Sequence, residues 1–350
     1  MFQKKQALLD LIKSHKADSL ISISPINRMW LLEDVYSDFC LFVCKNNEIH
    51  AFVDIRDFQN IQLKFKHITP HLYHSIDSWL TFCKELKLQN TIFESNQVYY
   101  DDFNNFIKPV CKKLIPINGD DLRIVKTPKE LSRMQKSADI TCEAVNHLKK
   151  WVKVGMTENQ VANEFYRLVM SKGASGLAFP TIVGFGENSA NIHGTPTDRK
   201  LKHNEVILMD CGCVYKGYYS DMTRVWWIGK LPEKAMIMYQ TVLAANELGI
   251  KKVKAGMTGM QLDKICRDYV RENWNGYELP HGTGHGVGLQ IHENPRANKT
   301  YNGKLVENSV VTIEPGIYDQ EICGVRIEDS VVITKTGCKV LTAKCPKIWK

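Results

Sequence analysis

Apolar positions recur every three to four residues over 4–14 and again over 76–88, which predicts an amphipathic helix in each stretch. Between them Phe39 to Val43 runs apolar, the polar string Lys45-Asn46-Asn47-Glu48 interrupts, and Ile49 to Val53 resumes the apolar run. That is the pattern of a hairpin with an Asn-Asn turn, because Asn tolerates positive φ better than most residues. The first part of the chain therefore reads as an α/β unit, and the polar Asn118-Gly119-Asp120-Asp121 marks its end. The expected domains are residues 1–122 and 123–350. Asp54-x-Arg56-Asp57 reads as a solvated turn, and the first unit shows no catalytic constellation.

Past the boundary, Thr127-Pro128-Lys129-Glu130 is a capping box with Pro at the first helical position. Leu131, Met134, Ala138, Val145 and Leu148 then keep helical spacing, so a long amphipathic helix is expected there. Gly155-Met156-Thr157-Glu158-Asn159-Gln160 opens another helix with a Thr-x-x-Gln cap, and Val161, Phe165 and Leu168 face inward. The hexad recurs 101 residues later as Gly256-Met257-Thr258-Gly259-Met260-Gln261, again preceded by Val-Lys and again opening a helix. The segments downstream of the two copies are also alike. Asp210 lies 53 residues after Thr157 and Glu314 lies 56 after Thr258. Each acid ends a strand-like run, Val206-Ile207-Leu208-Met209 or Val310-Val311-Thr312-Ile313, and each has a second acid downstream, Asp221 or Glu328. Two half-domains of similar plan, helices then hairpin, each delivering two carboxylates, account for this.

Composition narrows the class. The 350 residues are 44% hydrophobic and 24% charged, ordinary for a folded protein, so extensive disorder is excluded. No apolar stretch is long enough for a spanning helix, and the first sixteen residues carry charge where a signal peptide needs an apolar core. A soluble, cytoplasmic chain is expected, with no membrane partner. The 11 cysteines are scattered without a Cys-x-x-Cys pair, so they are expected to be reduced core residues. The net charge of +8 comes from dispersed lysines, without a basic stripe, and nucleic acid is not an expected partner.

The acids carry the chemistry. A hairpin turning at Tyr215-Lys216 would set Asp210 directly opposite Asp221, with Cβ atoms roughly 5 Å apart. Cys211 and Cys213 would then point to the other face. Glu314 and Glu328 would oppose each other across a wider loop centred near Glu321. Two carboxylates about 4 Å apart repel by about 4 kcal/mol at an effective dielectric near 20, so four on one inner face need cations or shared protons. A further ligand is expected in His281-Gly-Thr-Gly-His285-Gly-Val-Gly-Leu-Gln-Ile-His292-Glu293-Asn-Pro295, whose alternate glycines let backbone pack closely. As a phosphate loop this stretch fails, since position 287 is Val. His193, in Asn191-Ile192-His193-Gly194, is another candidate. Four carboxylates and an imidazole suit two divalent ions, and oxygen donors favour Mn2+, Co2+ or Mg2+ over thiolate-seeking metals.

These motifs resemble the metal-dependent "pita-bread" peptidases that include Xaa-Pro aminopeptidase, Xaa-Pro dipeptidase (prolidase) and methionine aminopeptidase. The matching stretches are Asp210-x-Gly through Ser-Asp221-x-Thr-Arg, His281-Gly-Thr-Gly-His285-Gly-x-Gly, Ile-His292-Glu-x-Pro, Thr-x-Glu314-Pro-Gly-x-Tyr and Gly324-Val-Arg326-Ile-Glu328-Asp. The preceding domain is similar in size to that of the proline-specific branch. The resemblance implies an α+β fold: a creatinase-like α/β N-terminal domain and a pita-bread catalytic domain with an internal pseudo-two-fold repeat. It implies metal ligands Asp210, Asp221, His285, Glu314 and Glu328, with Asp221 and Glu328 bridging two divalent ions, Mn2+ foremost and Co2+ or Zn2+ as alternatives. It also implies that Glu314 shuttles a proton, that His193 and His292 contact substrate, and that His281 and Arg326 support the site. One departure is Ile192, where many relatives place Pro before this His. The expected activity is Xaa-Pro aminopeptidase, working through a hydroxide shared by the metals. A prolidase restricted to dipeptides is the nearest rival, and a non-catalytic protein- or nucleic-acid-binding relative is the remote one. A homodimer is the family-based expectation.

Overall fold

Six strands make one sheet in the N-terminal unit, Met1–Arg123: β1 (Ser19–Ser22), β2 (Phe39–Cys44), β3 (Ile49–Val53), β4 (Thr69–Leu72), β5 (Asn90–Glu94) and β6 (Lys113–Ile117). Their order is β4-β3-β2-β1-β5-β6. The computed structural model describes residues 2–33, 39–44 and 46–348. Register Val43↔Ile49 closes the β2–β3 hairpin, and Asn47 takes φ 75 in its turn, the positive value that Asn tolerates. Lys45 of that turn lies outside the described residues. The helices expected near 4–14 and 76–88 are Phe2–Ser14 and Ile76–Glu85. The second stops short of 88 because Lys87 turns to φ 50. Asp54 caps the helix Ile55–Lys64, accepting the Arg56 N–H at 2.9 Å. Phe52, Trp79, Phe82 and Phe93 anchor the buried core of this unit.

The second unit, Ile124–Lys350, is built twice over. Helices Pro128–Trp151 and Glu158–Ser171 precede one set of strands, and helices Glu233–Lys252 and Gly259–Asn273 precede the other. The hexads fold alike. Thr157 with Gln160 and Thr258 with Gln261 form capping boxes, and Gly155 and Gly256 both take φ 90. The Gly155 N–H donates to Leu201 at 2.8 Å and the Gly256 N–H to Leu305 at 2.9 Å. The pattern of the sequence repeat is therefore a repeat of structure. The halves meet where the Glu328 N–H donates to the Thr223 carbonyl at 3.2 Å and the Ser330 hydroxyl to the Asp221 carbonyl at 2.8 Å.

One register differs from the sequence expectation. Strands Cys213–Tyr215 and Tyr218–Tyr219 pair with Tyr215 opposite Tyr218, so the turn is Lys216-Gly217, at φ 48 and 82. A tight two-residue turn needs positive φ at both positions, which Gly217 takes freely and Tyr215 would not. Continuing that register, Asp210 opposes Thr223 instead of Asp221. The shift moves the partner by two positions, so both acids stay on one face as diagonal neighbours, with Cα atoms roughly 7–8 Å apart. In the other half, Ile313 pairs with Asp329 and Gly316 with Arg326, which puts Glu314 opposite Glu328 as the spacing predicts.

The nine described cysteines are all free, and seven of them are buried, Cys211 and Cys213 included. The side chains of Cys40 and Cys44 lie outside the described residues. Among the described residues no helix is long and apolar enough to cross a membrane. The break between Asp210 and Cys213 depends on Gly212, since a Cβ there would lie 1.9 Å from the Ser220 carbonyl oxygen. Gly212→Ala is expected to destabilise the second unit by about 3 kcal/mol, read as a lowered urea midpoint.

Candidate metal centre

Two hairpins and one glycine-rich loop bring their polar groups to a single cavity of about 540 Å3. Its walls include His193, Asp210, Asp221, His281, His285, His292, Glu314, Arg326 and Glu328, all the residues singled out in the sequence. The loop reaches the acids because its glycines let backbones touch: a Cβ on Gly284 would stand 1.9 Å from the Thr312 carbonyl oxygen. Asp263 accepts the Thr283 N–H and hydroxyl, both at 2.9 Å, and is paired with Arg267. Arg267 in turn donates to the carbonyls of Leu279 and His281 at 2.6 and 2.8 Å. The loop is thus clamped before His285 enters the cavity.

His285 shows what the cavity is for. Its Nδ1 sits 3.1 Å from the Gly286 carbonyl, which only accepts, so Nδ1 carries the proton. Burial, with His292 close by, drives its pKa down to about 3, so the ring is neutral and Nε2 presents a lone pair. That nitrogen faces Asp221 Oδ2 and Glu314 Oε1, each at 3.4 Å. Ligand atoms of Asp221, His285 and Glu328 lie within 4.8 Å of one another. Asp210 and Glu314 lie outside that tightest group, Asp210 being held by Arg326 Nη2 at 2.7 Å.

The electrostatics are those of a site built for cations. Burial, then Glu328, Asp210 and Glu314, raise the Asp221 carboxyl well above its usual range. Burial and Glu314 do the same to Glu328, and burial lifts Glu314 to about 7. Asp210 Oδ1 and Glu328 Oε1 are buried without a hydrogen-bond donor. Orphaned carboxylate oxygens beside a neutral imidazole lone pair are a donor set that fits divalent ions.

The surrounding groups hold the cavity's acids and histidines in place. Thr223 donates to Glu328 Oε2 at 2.8 Å and Thr312 to Glu314 Oε1 at 3.2 Å. Buried Arg326 also donates to the Tyr318 hydroxyl at 2.8 Å, and Tyr318 lies 2.9 Å from His281 Nε2. His281 Nδ1 lies 2.8 Å from the Gly282 carbonyl, so both ring nitrogens are engaged, and burial keeps the ring neutral with a pKa of about 4. His292 stacks edge-on against His285 with centroids 4.2 Å apart. His193 stands at the turn closed by the Gly194 N–H to the Asn191 carbonyl at 2.9 Å. Sequence reasoning left Thr223, Thr312, Tyr318, Asp263, Arg267 and Arg296 without a part. Tyr318 stood inside a matching motif, and Asp263 and Arg267 were an i, i+4 pair.

The model of metallopeptidase family M24 matches residues 132–335, and that of the creatinase/prolidase N-terminal domain matches residues 4–125. The chain belongs to metallopeptidase family M24, in the branch that carries this N-terminal domain, and has the α+β pita-bread fold. A Mycoplasma genitalium protein described as "Putative Xaa-Pro aminopeptidase" is 35% identical over 350 residues, 99% of this chain and 98% of its own. The Xaa-Pro dipeptidase from Bacillus anthracis is 30% identical with a TM-score of 0.93, over 99% of this chain and 98% of that one. The X-Pro aminopeptidase from Thermotoga maritima MSB8 is 28% identical with a TM-score of 0.85, over 95% and 97%.

The raised acids set a pH dependence. Glu314 holds its proton up to about 7 in the fold, whereas the unfolded chain releases it near the ordinary glutamate value of 4.5. The contribution of the protonated group is present below 4.5 and is lost as pH rises to about 7. Metal-free protein should melt at falling temperature across that window, and saturating Mn2+ should flatten the trend in a calorimeter.

Proposed function

We propose that this protein is a dinuclear metal-dependent Xaa-Pro aminopeptidase, releasing the first residue of peptides whose second residue is proline. The observation that carries the reading is the His285 lone pair facing Asp221 and Glu314 at 3.4 Å each. The preference for proline rests on the relatives, which are named for Xaa-Pro bonds. Asp210, Asp221, His285, Glu314 and Glu328 would hold two divalent ions, Mn2+ foremost, with Asp221 and Glu328 shared. Such ions supply an acidified water and a polarised peptide carbonyl.

The chain's own groups do the rest. Glu314, which can carry a proton near neutral pH, takes it from the attacking water and passes it to the departing proline nitrogen. Burial and nearby Arg296 lower the His292 pKa, so the ring is neutral and can offer an N–H to the oxygen where charge develops. His193, within the 185–197 segment, contacts the bound peptide substrate. His281 and Arg326 touch no substrate in this scheme; they orient Tyr318 and Asp210.

One observation favours a second reading, the dipeptidase. Arg296 lines the cavity and, among the described residues, has no carboxylate partner. Such a guanidinium could take the free carboxylate of a dipeptide in a two-pronged contact. The deciding assay uses metal-stripped protein before and after Mn2+, with Gly-Pro beside a proline-second tripeptide. Cleavage of the tripeptide is expected. Cleavage of Gly-Pro alone, with KM rising about tenfold or more in Arg296→Leu, would replace the aminopeptidase by the dipeptidase. Asp221→Asn should lose both bound metal and hydrolysis; full activity in that variant would sink both readings.

A further inference from the structure

Glu158, the first residue of the helix Glu158–Ser171, is fully buried, yet it does not line the cavity. An acid in a first helical turn is ordinarily solvated and merely complements the helix dipole. This one is spent on a single neighbouring segment. Its Oε1 accepts the Phe185 N–H at 2.8 Å and Asn188 Nδ2 at 3.1 Å. Its Oε2 accepts the Thr197 N–H at 2.9 Å, the Thr197 hydroxyl at 2.6 Å and Asn188 Nδ2 at 3.2 Å. Every donor lies between residues 185 and 197, and they bracket His193 on both sides.

We propose that Glu158 is a positioning residue whose carboxylate staples the 185–197 segment closed, so that His193 is presented to substrate. What His193 does there rests on the peptidase reading; the stapling does not. Pinning Asn188 and Thr197 to one carboxylate leaves the turn between them few conformations, and a group fixed in advance costs less to align with substrate. Other ties are weaker or one-sided. Ser189 accepts the Gly324 N–H at 2.7 Å and Arg326 reaches the Ile192 carbonyl at 3.4 Å, both ahead of His193. The Glu187–Arg199 pair also spans the segment, but Glu187 is 58% exposed and screened by solvent.

The second hexad supports this reading by contrast. Its matching position is Gly259, where a Cβ would come 1.8 Å from the Arg296 carbonyl oxygen. Backbone lies flush against the helix start there, and no acid would fit. The repeated motif thus holds two cavity walls in two ways: a carboxylate reaches out to the wall with His193, and a bare backbone receives the wall with Arg296.

Glu158→Gln tests the proposal. Glutamine keeps the size but turns one acceptor into a donor that faces donors. Amide hydrogen exchange over 186–197 is expected to speed up by about tenfold or more, with 281–293 unchanged. On a proline-second tripeptide KM should rise about tenfold while kcat changes by less than about threefold and bound metal stays the same. Unchanged exchange together with unchanged KM overturns the proposal. If the wild-type chain cleaves no Xaa-Pro peptide, the peptidase reading fails and the exchange comparison alone decides the stapling. If Glu158→Gln does not fold, Thr197→Val, which removes one donor, must show the same changes in smaller measure; no change there overturns it.

Discussion

A neutral imidazole nitrogen facing two carboxylate oxygens, with two more carboxylates nearby, is an arrangement that repels itself. At 4 Å and an effective dielectric near 20, each pair of ionised acids costs about 4 kcal/mol, and burial adds desolvation to that. Among the described residues, Arg326 is the cavity arginine tied to an acid of the set, through Asp210. Protons can relieve the strain, which is why Asp221, Glu314 and Glu328 all rise in pKa. Divalent ions relieve it better, because they also satisfy the orphaned oxygens of Asp210 and Glu328. The rest of the second unit serves to keep these groups together against their own repulsion.

Rigidity comes from duplication. Each half supplies a hairpin whose paired strands leave the acids little freedom, and the hairpins are stitched at Thr223 and Glu328. Two buried ion pairs add to this, Arg224 with Asp329 at 2.7 Å and Lys126 with Glu293 at 2.7 Å. Arg224 also donates to the Glu328 carbonyl, so it holds the backbone of one of the cavity acids directly. Breaking the Arg224–Asp329 pair would leave a buried charge unmatched beside Glu328, one of the cavity acids.

The cavity walls differ from its floor. The floor is made of residues in strands or directly beside them, whose place is set by the register of those strands. His193 and His292, which would meet the substrate, lie outside the strands, and the segment that carries His193 is anchored by Glu158. Differences in substrate length or first residue within this fold can therefore arise at the walls without disturbing the acids.

Much of this was legible in the chain. The doubled hexad, the acids at the ends of apolar runs and the histidines among alternate glycines are local signals, since caps and strand ends are set by neighbouring residues and a run of glycines is itself a pattern along the chain. Opposition of Glu314 and Glu328 could also be read from spacing, because that hairpin is regular through its turn. The first hairpin could not: which two residues turn depends on φ at Lys216 and Gly217, and a one-residue shift of the turn moves Asp210 from Asp221 to Thr223. The partners of Glu158 and Arg326 were equally invisible, lying up to 134 residues away from the side chain that binds them. Periodicity and caps are written along the chain and can be read there. Which buried donor meets which acceptor is decided only when distant segments pack, since burial is what makes each unmatched polar atom costly.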